Sequence, residues 1–149
     1  MSIRVKRLKG NFAAEIYEVN LCEKISERDF SDIKTAFEEY SILVFPDLLL
    51  TDEQQVVFSQ RFGDLENTIN SKRQGGAGKP VTVLTNVGKN GEVIAPEDRR
   101  MVFNTGNQMW HTDSSFKPIP AMMSLLSGRE VPPEGGRRSL PVCVLPTKI

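Results

Sequence analysis

Histidine is almost missing from this chain: 149 residues hold one, His111. That scarcity excludes any reading that needs several imidazoles from one copy of the sequence. Cysteine is nearly as rare. Cys22 and Cys143 are the only two, far apart and in no metal-spaced or redox-spaced pair. A disulfide scaffold and a Cys-x-x-Cys redox site are therefore excluded, and the usage fits a reducing cytoplasm. Charge of one sign is missing too: 19 basic residues balance 19 acidic ones. The net charge of zero gives no long-range pull toward nucleic acid or an anionic membrane. No apolar run reaches membrane-span length. The nearest, residues 41–50, is interrupted by Pro46 and Asp47. The N-terminal MSIRVKRLKG is basic but has no apolar stretch behind it, so it does not read as a secretory signal.

What remains is an ordinary globular composition, with 39% hydrophobic and 26% charged residues. The length suits one domain. Residues 3–8 and 14–19 read as short strands around a Gly10-Asn11 turn. Ser26 is a helix N-cap, and Asp29 three residues on can return to the Ser26 backbone amide. Phe30, Ile33, Phe37 and Tyr40 then recur at helical spacing. The run SILVF at 41–45 predicts a buried strand ended by Pro46. Thr51 and Gln54 form a capping box for a second helix. Val56, Val57, Phe58 and Phe62 supply its apolar face, and Gly63 stops it. Residues 70–80 read as a Gly- and Lys-rich loop, 81–87 as a strand, and 88–103 as polar and irregular. A further strand is expected at 121–127, followed by a turn at Pro132, Pro133, Gly135 and Gly136. The layout predicts an α+β fold, mainly β.

The segment NQMWHTDSSF at 107–116 carries the chemistry. In an extended strand, His111 and Asp113 point to the same face. A neutral imidazole nitrogen and an anionic oxygen would then converge on one point. Such a pair suits iron(II), whose non-haem oxygenase sites use two histidines and one carboxylate. The bland alternative is a hydrogen-bonded His-Asp pair on a surface, with Trp110 and Phe116 as packing residues.

Three segments weigh on that choice: NQMWHTDSSF, the following SLLSGREVPPEGG, and the earlier SILVFPDLLLTDEQQVVFSQRFGDLE with its Phe-Gly-x-Leu-Glu exit. Together they resemble the taurine dioxygenase family of 2-oxoglutarate-dependent oxygenases (TauD/TfdA-like), on the branch of 2,4-dichlorophenoxyacetate dioxygenase. The resemblance covers residues 12–136. It implies the N-terminal part of a double-stranded β-helix, a jelly roll with flanking helices. It implies Fe(II) as the metal, with His111 and Asp113 as its first two ligands, and 2-oxoglutarate as cosubstrate. Asn107 would line the substrate and cosubstrate pocket. The expected reaction couples decarboxylation of 2-oxoglutarate to hydroxylation by dioxygen of a small, anionic organic substrate. Lys72, Arg73 or Arg99 could meet such an anion, though solvated loop charge is the favoured explanation of all three. No nucleic-acid or membrane partner is implied, and full-length relatives are expected to be homo-oligomers.

Two departures from the family pattern stand out. Its second histidine and its cosubstrate-binding arginine lie further along than this chain runs. After Gly136 the family continues in the style GG-E-T-E-F-A-D-M-R, whereas residues 137–149 read RRSLPVCVLPTKI. One permitted codon string for that tail, with a single G restored before it, rereads as E-T-E-F-A-G-M-R-A-A-Y-E-D. The expected organisation is therefore a dioxygenase portion at 1–136 and an out-of-frame tail at 137–149. The competing reading is a catalytically incomplete remnant.

Overall fold

The computed structural model describes residues 3–66, 81–106, 109–135 and 139–140. They fall into two compact units, residues 1–58 with 127–149, and residues 59–126.

The first unit is built on a hairpin. Strand β1 (Arg4–Arg7) pairs antiparallel with β2 (Ala13–Tyr17), with Val5 opposite Ile16 and Lys6 opposite Glu15. The turn between them uses Gly10 at φ +101°, a left-handed conformation that glycine adopts without a Cβ clash. Strand alternation then separates two faces of β2. Ala14 and Ile16 are buried, while Glu15 and Tyr17 face outward. On the outer face Lys6 Nζ pairs with Glu15 at 2.8 Å, and the Arg4 guanidinium lies 4.2 Å from the Tyr17 ring centre.

Helix α1 (Glu27–Tyr40) follows, and β3 (Ile42–Val44) returns parallel to β2, which becomes the central strand of three. A parallel return needs a crossover element, and α1 is that element. It packs on β2 and β3 through Phe30, Ile33 and Ala36, with Ile33 only 1% exposed. Ser26 caps it as expected, its Oγ accepting from the Asp29 amide at 3.0 Å. Asp29 does not reach back to the Ser26 amide. Its Oδ2 accepts from the Ser26 hydroxyl at 2.8 Å instead, so the cap closes between side chains. The helix ends at Ser41, held at φ +60°, whose amide donates to the Phe37 carbonyl at 2.7 Å. The expected buried strand at 41–45 is corrected: β3 is an edge of the three-stranded sheet, and its Val44 is 40% exposed.

Helix α2 (Asp52–Gln60) has the full capping box. The Thr51 amide donates to Gln54 Oε1 at 2.8 Å, and the Gln54 amide donates to Thr51 Oγ1 at 3.2 Å. Gln54 Nε2 also donates to the Cys22 carbonyl at 2.9 Å. The apolar face is narrower than its spacing predicts: Phe58 is buried, but Val57 is 64% exposed. Gly63 sits at φ +145° just beyond the helix, as a stop residue should.

In the second unit, two expectations are overturned. Residues 81–87 form no strand. Among the described residues only Val87 bridges, to Val93, around a turn in which the Gly88 amide donates to the Glu92 carbonyl at 2.7 Å. Residues 88–103 are not wholly irregular either, because they contain helix α3 (Arg99–Thr105). Asp98 is its cap: Oδ1 accepts from the Arg100 amide at 2.8 Å, and the same carboxylate grips the Arg100 guanidinium. The Arg100 side chain and then the Arg100 amide hold the Asp98 carboxyl at about 2, below its usual 3.8. Asn104 Nδ2 ties α3 to the Thr85 carbonyl at 3.1 Å.

Residues 121–127 form no hydrogen-bonded ladder among the described residues, yet their exposure alternates strictly from Ala121 to Gly128. That period of two is a strand's, so the pattern is present without a partner. The described residues hold a small sheet with helices, in keeping with the α+β class. Among the described residues the strands have four, five and three residues against helices of 14, nine and seven. Among them no helix is long and apolar enough to cross a membrane.

Candidate metal centre

His111 and Asp113 are brought together, but not by a strand. Residues 113–116 form a turn, with Ser114 at φ +56° and the Lys117 amide donating to the Ser114 carbonyl at 3.0 Å. The expected strand is thus absent from this segment, and a turn begins at Asp113 instead. His111 Nε2 and Asp113 Oδ1 face each other at 3.4 Å, with both side chains about half exposed.

The atoms turned away from that point are both engaged. His111 Nδ1 lies 2.7 Å from the Met109 carbonyl oxygen. A carbonyl only accepts, so Nδ1 carries the hydrogen, which in the neutral form of the ring leaves the lone pair on Nε2. Asp113 Oδ2 accepts from Ser124 Oγ at 2.7 Å, which leaves Oδ1 facing Nε2. In the neutral form two lone pairs are opposed at this distance, and a cation between them would relieve their repulsion. Two ligands about 2.1 Å from one divalent ion, in adjacent octahedral positions, are about 3 Å apart. The donor pair fits a divalent first-row transition metal, with outer partners of the kind that orient metal ligands. Among the described residues no third His, Cys, Asp or Glu joins them.

A second cluster lies next to the pair. Glu66 Oε2 accepts from Ser114 Oγ at 2.5 Å, and Glu66 Oε1 lies 2.6 Å from Lys117 Nζ. The Lys117 ammonium and then the Ser114 hydroxyl hold the Glu66 carboxyl below its ordinary range. Trp110 and Phe116, read from sequence as packing residues, are corrected: they are 72% and 71% exposed. Nothing among the described residues covers these rings. Arg99 is exposed at the start of α3, as a solvated charge would be. Asn107, Lys72 and Arg73 lie outside the described residues.

Sequence reasoning missed four partners: the Met109 carbonyl, Ser124, Glu66 and Lys117. Only Glu66 carried a signal, as the last residue of the Phe-Gly-x-Leu-Glu exit.

The model of the family described as taurine catabolism dioxygenase TauD, TfdA family matches residues 4–140. The alpha-ketoglutarate-dependent 2,4-dichlorophenoxyacetate dioxygenase of Cupriavidus pinatubonensis is 34% identical over 139 residues, covering 91% of this chain and 48% of that protein. The (S)-phenoxypropionate/alpha-ketoglutarate-dioxygenase of Sphingobium herbicidovorans is 33% identical over 132 residues, covering 87% of this chain and 42% of that protein. Among solved structures, AAD-2 in complex with Mn(II) and N-oxalylglycine is 34% identical, with a TM-score of 0.67 over 81% of this chain and 40% of that one. The chain thus spans about half the length of the curated relatives it matches. With the match running through both the capped helices and the His-Asp turn, this chain belongs to the taurine catabolism dioxygenase TauD, TfdA family.

Proposed function

We propose that this chain carries part of an Fe(II)- and 2-oxoglutarate-dependent dioxygenase site, with His111 and Asp113 as two of the iron ligands. The carrying observation is the opposed pair, His111 Nε2 and Asp113 Oδ1 at 3.4 Å. Its supports are the Met109 carbonyl, which sets the tautomer, and Ser124, which orients the carboxylate. The fold we infer is the N-terminal portion of a jelly roll with flanking helices. When bound, the metal would supply activation of dioxygen, coupled to decarboxylation of 2-oxoglutarate. The work of this chain is to present one neutral nitrogen and one anionic oxygen to the same point, leaving other coordination positions for the cosubstrate and dioxygen. The substrate class is a small organic acid of the aryloxyalkanoate kind named in two relatives, and Asn107 is proposed to line its pocket. A cytoplasmic setting follows from the two separated cysteines, of which Cys22 is free.

One observation favours a second reading, a remnant without turnover: the 149 residues hold one histidine, so the usual second imidazole is not among them. Residues 137–149 are proposed to be an out-of-frame tail, and all but 139–140 lie outside the described residues. Anaerobic addition of Fe(II) and 2-oxoglutarate separates the two readings. A visible charge-transfer band is expected from a working site. Metal binding without a band supports the remnant, and no metal binding refutes the His-Asp assignment.

A further inference from the structure

Among the described residues, no strand ladder holds the turn that carries Asp113. Its shape instead depends on contacts made by its own residues. Ser114 sits at φ +56°, a left-handed conformation that a residue with a Cβ adopts at some cost. Such a conformation persists only where surrounding contacts enforce it. The contacts here converge on one residue 48 positions earlier in sequence. Glu66 takes the Ser114 hydroxyl on one carboxylate oxygen at 2.5 Å. It takes the Lys117 ammonium on the other at 2.6 Å. The two gripped residues are themselves joined by the Lys117 amide donating to the Ser114 carbonyl at 3.0 Å. The result is a closed ring: Glu66 to Ser114, Ser114 to Lys117, Lys117 back to Glu66. The Lys117 and Glu66 side chains are 24% and 30% exposed. They are better shielded than a surface ion pair, so their attraction is less screened by water and salt.

We propose that Glu66 is the positioning residue of the metal centre: it clamps Ser114 and Lys117 and so fixes the turn that aims Asp113 at His111. This rests on the reading of His111 and Asp113 as metal ligands. Glu66 does not touch the metal itself. Its carboxylate is committed to the clamp, and the ligand oxygen comes from Asp113. The proposal also gives the last residue of the Phe-Gly-x-Leu-Glu exit a task that packing alone does not require. An apolar contact would tolerate glutamine there, whereas a clamp with an ammonium on one arm needs the negative charge.

The single tryptophan makes the test direct, because Trp110 adjoins His111 and paramagnetic Mn(II) bound there quenches its fluorescence. Mn(II) alone is titrated into the full chain, well below any thermal transition, with far-ultraviolet circular dichroism checking that each variant keeps its secondary structure. Glu66→Gln keeps size and the hydrogen-bond acceptor but loses the charge. It is expected to weaken Mn(II) binding about tenfold, the low end for outer partners of a metal site. Ser114→Ala is expected to act in the same direction, and the double variant to fall short of the sum, because both act through one turn. Reversing the pair, Glu66→Lys with Lys117→Glu, is expected to recover most of the loss. A merely structural role for Glu66 would move the circular dichroism or the unfolding midpoint without this recovery. Asp113→Asn must abolish the quenching. If the parent and Glu66→Gln bind Mn(II) equally while Asp113→Asn does not bind it, the clamp is wrong and the metal centre stands. If the parent shows no quenching, the metal centre fails and the clamp falls with it.

Discussion

If His111 and Asp113 hold a metal as proposed, removing one hydroxyl should loosen its binding by a calculable amount. Ser124 Oγ donates to Asp113 Oδ2 at 2.7 Å, a charge-assisted bond that leaves Oδ1 free to face His111. In Ser124→Ala the carboxylate gains freedom about its last torsion and presents either oxygen, or neither, to the metal. Outer partners of metal ligands are worth about 10- to 100-fold in affinity. Asp113 is 57% exposed, so water can replace the lost donor, which places the effect near the lower end. The expected loss is about tenfold, equivalent to about 1.4 kcal/mol of binding free energy.

Free Mn(II) has a strong electron paramagnetic resonance spectrum that collapses on binding, so the unbound ion can be counted directly. Titrations of the parent, Ser124→Ala and Ser124→Thr are compared at one pH and one salt concentration. Threonine keeps the hydroxyl and is expected to bind within about threefold of the parent, since it also adds a methyl to a half-open site. Equal affinity of the parent and Ser124→Ala would refute the claim that Ser124 sets the carboxylate. Loss of binding in Ser124→Thr as severe as in Ser124→Ala would show that shape rather than the hydroxyl is at stake.

Four other outcomes follow from the same structure. The Asp98 carboxyl is held at about 2 against 3.8, so its contribution to α3 is complete above pH 4 and lost as pH falls through about 2; amide exchange in α3 should speed up over that window, and Asp98→Asn should flatten the response. Ile33 is 1% exposed on α1, so Ile33→Ala should cost about 2–5 kcal/mol and Ile33→Val about 0.5–1.5, read from urea unfolding of the helical signal. Met109, Trp110, Phe116, Ile119 and Met122 are each at least 66% exposed, so the isolated chain should bind an apolar dye and self-associate; a monomer with a cooperative thermal transition would contradict this. Sequencing of the gene should reveal, one base out of frame after the Gly136 codon, a continuation close to E-T-E-F-A-G-M-R, and its absence there sinks the out-of-frame tail.

How much was legible in the sequence depended on the range of the contact. The caps of α1 and α2 were readable because Ser26 with Asp29, and Thr51 with Gln54, meet within one helical turn. Only the details moved, such as Asp29 accepting from a hydroxyl rather than an amide. Helix α3 escaped because seven residues are too few to show a period, and Asp98 sat in a charged stretch that looks like a loop. Residues 81–87 and 121–127 have strand composition, but a strand is completed by a partner at a distance. Residues 121–128 show the point: their exposure alternates while no ladder forms among the described residues. The His111-Asp113 convergence was expected from the wrong geometry, a strand in place of a turn. The two side chains still meet, a nitrogen facing an oxygen at 3.4 Å.

The parts of the site that no local pattern revealed are those that hold it in place. Glu66 reaches Ser114 across 48 positions and Ser124 reaches Asp113 across 11. These contacts are polar, whereas Trp110 and Phe116, on either side of the ligand pair, are exposed. A site held by a buried core would lose its geometry with any loss of packing. A site held by hydrogen bonds and one ion pair should respond to charge and to hydroxyl removal first. It follows that metal affinity and global stability are separable in this chain. Glu66→Gln and Ser124→Ala should weaken Mn(II) binding at nearly unchanged urea midpoints. Ile33→Val should lower the midpoint and leave the affinity alone. Parallel losses of affinity and stability across all three variants would refute that separation and place the site under the control of the fold as a whole.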